Sequence, residues 1–115
     1  MITETKTRKL DSNITVYEIS GRLNLGNSLL NIESGIKKLI DQGSRRLIVD
    51  LTDVNYIDSS GIGELVSGFT AVRNRSGELK LLNLTKKVND LLQLTKLFTV
   101  FDVYSDEEAA IRSFR

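Results

Sequence analysis

The densest group of chemistry-bearing residues in this sequence is Asp58-Ser59-Ser60, followed at once by Gly61-Ile62-Gly63. A carboxylate beside two hydroxyls can hold the free backbone N–H groups at the start of a helix, since all three side chains are helix-capping types. Gly61 and Gly63 lack a Cβ and let another backbone approach closely. Taken alone, Asp-Ser-Ser-Gly reads first as a capped helix start. A phosphate-binding loop is the second reading. A single Gly-x-Gly with no Walker lysine and no full glycine-rich fingerprint supports it only weakly.

Missing residue types narrow the chemistry further. With no His and no Cys, the chain has neither a histidine phosphoacceptor nor a thiolate nucleophile. It also lacks the Ser-His base pair and every common zinc pattern. Ser59 would need a lysine or carboxylate as its base, and no such partner is evident from spacing. Asp50, Asp53 and Asp58 invite comparison with a receiver-like acidic metal pocket. Such a pocket needs a pair of acids near the first core strand, and residues 14–19 offer only Glu18. The expectation is a non-enzymatic protein without catalytic residues, cofactor or metal.

Sixteen basic and fifteen acidic residues give a net charge of +1, so no general nucleic-acid footprint is expected. No apolar run approaches the roughly 20 residues of a membrane span, and Met1-Ile2-Thr3-Glu4 lacks a signal-peptide apolar region. The expected location is the cytoplasm, without membrane attachment. At 115 residues with 40% hydrophobic content and no proline, residues 1–115 read as one domain with its own core.

The elements that position the Asp-Ser-Ser segment follow from periodicity. Thr5 to Leu10 reads as an edge strand, with a turn at Asp11-Ser12-Asn13. Ile14 to Ile19 alternates as a half-buried strand that Gly21 should break. Asn27 or Ser28 could cap a helix whose stripe is Leu29, Ile32, Ile36, Leu39 and Ile40, ended by Gly43. Leu47 to Leu51 is a near-continuous apolar run and predicts a strand covered on both faces, with parallel neighbours. Ile62, Leu65, Val66, Phe69 and Val72 mark a second helix, with Arg73 and Arg75 near its end and Gly77 beyond. Leu79 to Leu82 is a short strand, and Thr85 opens a third helix carrying Val88, Leu91 and Leu92. The last strand lies within Phe98 to Tyr104. Ser105 and Glu108 form a capping-box pattern for a final helix that buries Ile111 and Phe114. Strands alternating with helices make this an α/β layered chain.

Lys86 and Lys87 fall in the first turn of the third helix, where cations oppose the helix dipole. A solvated face is the simpler account, and a patch meeting an acidic partner is the alternative. The tyrosines and phenylalanines read as core or rim packing.

Several segments in order carry a resemblance. They are Ser20-Gly21-Arg22-Leu23 after the early strand, Leu47-Ile48-Val49-Asp50-Leu51 after a helix, then Tyr56-Ile57-Asp58-Ser59-Ser60-Gly61-Ile62-Gly63, and later Leu79-Lys80-Leu81-Leu82-Asn83-Leu84. The set covers nearly the whole chain and resembles the STAS family, the domains of sulfate transporters and anti-sigma-factor antagonists. It is most similar to the free-standing antagonists. The resemblance implies a mixed central sheet of four to five strands packed with about four helices.

It also implies a partner switch. An anti-sigma factor that is itself a serine kinase would bind the unmodified protein and so free its sigma factor. The kinase would phosphorylate Ser59, with Ser60 the alternative acceptor, and the complex would then dissociate. A metal-dependent serine phosphatase would reset the protein. The partner surface would comprise Asn24, Asp58, Ser59, Ser60, Gly61, Ile62 and Gly63. Where the family often has an acidic residue after Gly-x-Leu, this chain has Asn24, which offers hydrogen bonds without charge and serves equally as a plain turn residue. A monomer or weak dimer is expected. The alternative within the family is a scaffold or accessory subunit of a stress-signalling or lipid-transport complex that does not cycle phosphate.

Overall fold

The computed structural model describes residues 2–10, 13–23 and 32–114. In chain order the elements are β1 (Ile2–Lys9), β2 (Ile14–Leu23), α1 (Ile32–Asp41), β3 (Arg46–Ile57), α2 (Ser59–Asn74) and β4 (Glu78–Leu82). They continue with α3 (Lys86–Thr95), a short 3-10 turn (Leu97–Thr99), β5 (Asp102–Tyr104) and α4 (Glu107–Ser113). The five strands lie side by side in sequence order. β1 pairs antiparallel with β2, and the other three pairings are parallel. This is the mixed sheet with four helices that the sequence resemblance implies.

The apolar run in β3 explains the layering. Side chains of a strand alternate faces, so Leu47, Val49 and Leu51 join the larger cluster with Ile19, Ile36, Leu65, Val88 and Leu92. Ile48 points the other way and meets Ile14, Val16, Leu82 and Ala110. Helices α1, α2 and α3 therefore cover one face and α4 the other. Leu47, Ile48, Val49 and Leu51 are all 0% exposed, and each such side chain contributes about 1.5–3 kcal/mol of burial.

Several expectations are corrected. Gly21 does not break β2: the strand continues to Leu23, with Gly21 at φ +108° where the register shifts. β3 is correspondingly longer than Leu47–Leu51, because Ser20, Gly21, Arg22 and Leu23 pair with Asp53, Val54, Tyr56 and Ile57. Val54 and Ile57 are buried. β1 starts at Ile2 and ends at Lys9. In the turn after α2, Gly77 lies beyond the helix as expected, Ser76 takes positive φ (61°), and a Cβ at Gly77 would sit 2.5 Å from the Arg45 carbonyl oxygen. α4 is capped by Asp106, whose carboxylate accepts from the Ala109 N–H at 3.2 Å, and not by Ser105. Its buried residue is Ala110, with Ile111 and Phe114 only half-buried. The last strand, Asp102–Tyr104, does lie within the expected Phe98–Tyr104, after the 3-10 turn at Leu97–Thr99. Gly43, at φ +101°, ends α1 as its position suggests. Asn24, Asn27, Ser28 and Leu29 lie outside the described residues.

Candidate functional site

The Asp58-Ser59-Ser60 segment sits where β3 leaves the sheet and α2 begins, at the C-terminal edge of the parallel strands, where open α/β sheets place their sites. Asp58 is extended (φ −126°, ψ −173°), and its carbonyl accepts the first helical bond from Ile62 N–H at 3.0 Å. Oδ1 of its side chain accepts from Ser60 N–H at 3.0 Å, Gly61 N–H at 3.1 Å and the Ser60 hydroxyl at 2.6 Å. The Ser60 hydroxyl, followed by the Gly61 and Ser60 amides, holds the Asp58 carboxyl below the usual carboxylate range. A cap of this kind stabilises its helix by about 1 kcal/mol.

The cap sorts the two serines. Ser60 is half-buried and its hydroxyl is spent on Asp58. Ser59 is exposed, and its hydroxyl forms no hydrogen bond among the described residues. An exposed hydroxyl fixed at a rigid helix start is open to an incoming phosphoryl donor. Any phosphate placed there would lie beside the positive end of the α2 dipole.

Other residues of the expected surface are placed unequally. Gly61 and Ile62 are buried, with Ile62 4% exposed and packed in the larger core cluster, so the Ile62 side chain supports the loop from beneath. Gly63 is exposed, and a Cβ there would meet nothing within 4 Å. Asn24 directly follows Leu23, which pairs with Ile57 next to the loop, but is itself outside the described residues. Of the acids that suggested a metal pocket, Asp58 is the cap, and Asp50 accepts from Thr52 N–H at 3.0 Å and the Thr52 hydroxyl at 2.5 Å. No group of three metal-ligating side chains gathers among the described residues.

Two features of the site are not legible from spacing. Glu64, one turn into α2, accepts from the Ile32 N–H at the start of α1 at 3.0 Å. Burial, chiefly, raises its pKa, and the nearby Glu33 and Asp58 charges add to this against the Ile32 and Glu33 amides. Arg22 and Tyr56, register partners on β2 and β3, stack with the guanidinium carbon 4.4 Å from the ring centroid. The Lys87 ammonium reaches the same ring from α3 at 5.7 Å. The β2–β3 parallel register is the signal that could have joined Arg22 to Tyr56, and it emerges only once β2 is seen to run past Gly21.

Comparison with known proteins agrees with this architecture. The family described as the STAS domain matches residues 5–110. An anti-sigma-B factor antagonist of Bacillus subtilis is 35% identical over 74 residues, covering 64% of this chain and 67% of the relative. The crystal structure of an anti-sigma factor antagonist from Mycobacterium paratuberculosis superposes with a TM-score of 0.84 at 19% identity, covering 98% of this chain and 93% of that one. The antagonist SpoIIAA superposes in its unphosphorylated form with a TM-score of 0.69 at 21% identity, covering 96% of this chain and 100% of that one. Its phosphorylated form gives 0.68 at 20% identity, with the same coverage. No helix among the described residues is long and apolar enough to cross a membrane. From the match across residues 5–110 and the sheet order that accompanies it, the chain belongs to the STAS domain family.

Proposed function

We propose that this chain is an anti-sigma-factor antagonist whose binding is switched at Ser59. Unmodified, it docks on an anti-sigma factor that is a serine kinase, which releases a sigma factor. Phosphorylated on Ser59, it lets the kinase go, and a metal-dependent serine phosphatase restores it. The observation that carries this reading is the division of labour at the cap, where Ser60 is tied to Asp58 and Ser59 is exposed and, among the described residues, unengaged. Likeness to an anti-sigma-B factor antagonist supports the class of partner, and a structural neighbour known in phosphorylated form supports the modification.

Magnitudes favour release over unfolding. Phosphorylation adds a charge of about −1.5 to −2. The helix dipole offsets only about 0.3–1 kcal/mol of this in the free protein. Burying the same group against a partner, beside the Asp58 carboxylate and with no cation supplied by the partner, costs several kcal/mol, and about 1.4 kcal/mol is already tenfold in affinity. The domain keeps its fold and loses its complex.

The test is to incubate the protein with its kinase and ATP, map the modified residue, and measure binding of Ser59→Ala and Ser59→Asp. Phosphate on Ser59, retained binding by Ser59→Ala and at least tenfold weaker binding by Ser59→Asp are the expected results. An unmodified Ser59, or equal affinity of the two variants, removes the switch.

A further inference from the structure

Lys86 and Lys87 stand at the start of α3 against its dipole, so their charges are not placed there to stabilise that helix. The two lysines differ. The Lys86 ammonium pairs with Asp90 at 3.1 Å, whereas Lys87 has no carboxylate partner among the described residues and instead lies 5.7 Å from the centre of the Tyr56 ring. Arg22 occupies the same ring at 4.4 Å, again without a described carboxylate. Tyr56 precedes Ser59 by three residues, so the two cations border the phosphoacceptor loop. Beside them, Thr52, Asp53, Asn55, Thr85 and Lys87 line an open recess of about 500 Å³.

Two cations drawn to one ring repel each other. The ring quadrupole offsets part of that repulsion, and a carboxylate from outside offsets the rest. We infer that Arg22 and Lys87, held by Tyr56, form a cationic shelf that receives carboxylates of the protein partner docking over Ser59. This deepens the proposed function, on which it rests, by naming the chemistry of the partner surface. It also supplies a reason for release: phosphate on Ser59 stands between the shelf and the partner's acids, neutralising the one and repelling the other.

Two measurements test it. In the first, a glutamate-rich peptide is titrated at low salt into the isotope-labelled protein. Signals of Arg22, Tyr56 and Lys87 should move, those of Lys6 and Lys9 should not, and Arg22→Gln/Lys87→Gln should abolish the shifts. Shifts spread evenly over all basic residues overturn the shelf. In the second, the same double variant is compared with the unsubstituted protein for binding to the kinase that modifies Ser59. The double variant should bind about five- to tenfold more weakly at low salt, with a flattened salt dependence and an unchanged melting curve. If the unsubstituted protein binds and is released on phosphorylation while the double variant matches it at every salt concentration, the shelf is wrong and the switch stands. If no serine kinase binds at all, both fall.

Discussion

The Glu64 carboxylate on α2 and the Ile32 N–H at the start of α1 are joined at 3.0 Å, so the helix that begins at Ser59 also caps its neighbour. Glu64→Ala removes the acceptor and leaves a backbone donor unpaired, which should cost about 1 kcal/mol in urea denaturation. Hydrogen exchange should accelerate at Ile32 and Glu33. Glu64→Gln keeps an oxygen for Ile32 and removes a charge disfavoured by burial and by Glu33 and Asp58. A carboxyl whose folded pKa is raised contributes stability that is complete below its ordinary pKa and lost as pH rises through the folded value. Relative to Glu64→Gln, the unsubstituted protein should therefore lose stability as pH rises above 4.5, the ordinary glutamate value. A flat difference between the two denaturation series would contradict this.

Asp58 behaves with the opposite sign. Its carboxyl is held low, first by the Ser60 hydroxyl, so its contribution is complete above the ordinary carboxylate pKa and disappears as pH falls through the lower folded value. Asp58→Ala should destabilise by about 1 kcal/mol at pH 7, and the gap from the unsubstituted protein should close on acidification below about pH 4. Thermal melts of both proteins across that range check the sign.

Ser60→Ala separates support from acceptance. Loss of the 2.6 Å bond to Asp58 should cost about 0.5–1.5 kcal/mol, while phosphorylation still proceeds on Ser59. Mass spectrometry after kinase treatment decides it. A variant that can no longer be modified would transfer the acceptor role to Ser60.

How far this was legible in the sequence depends on whether the cause was local. The stripe Ile32, Ile36, Leu39 and Ile40, the run Leu47–Leu51 and the capping residue Thr85 are written in neighbouring residues, and the structure realises them. Gly21 misled because glycine inside a strand reads as a stop. The pairing of Arg22 with Tyr56 holds the strand together past it. Ser105 misled because Ser and Glu three apart imitate a capping box, and the neighbouring Asp106 won the role. At the site, the capping types were readable but their assignment was not: choosing among Asp58, Ser59 and Ser60 requires the extended φ and ψ of Asp58. Glu64 with Ile32, and Lys87 with Tyr56, join residues 32 and 31 positions apart, and no periodicity carries such contacts.

Gly63 and Gly68 lie in the same helix, yet a methyl group added to each should have opposite consequences. At Gly68 a Cβ would sit 2.5 Å from Ile36 Cδ1, so this glycine permits the close approach of α2 to α1. Gly68→Ala should destabilise by about 1–3 kcal/mol through overpacking. At Gly63 a Cβ meets nothing within 4 Å. In the free chain this glycine gives up the roughly 0.5–1 kcal/mol that alanine would add in a helix interior. Under the proposed docking, the missing side chain leaves room for a partner backbone on the exposed face next to Ser59. Gly63→Ala should therefore raise the melting temperature of the free protein and weaken binding of the kinase. Calorimetry on the free chain, paired with an affinity measurement on the complex, tests both halves. A variant that is more stable and binds undiminished would show that no partner backbone comes close to this turn of the helix.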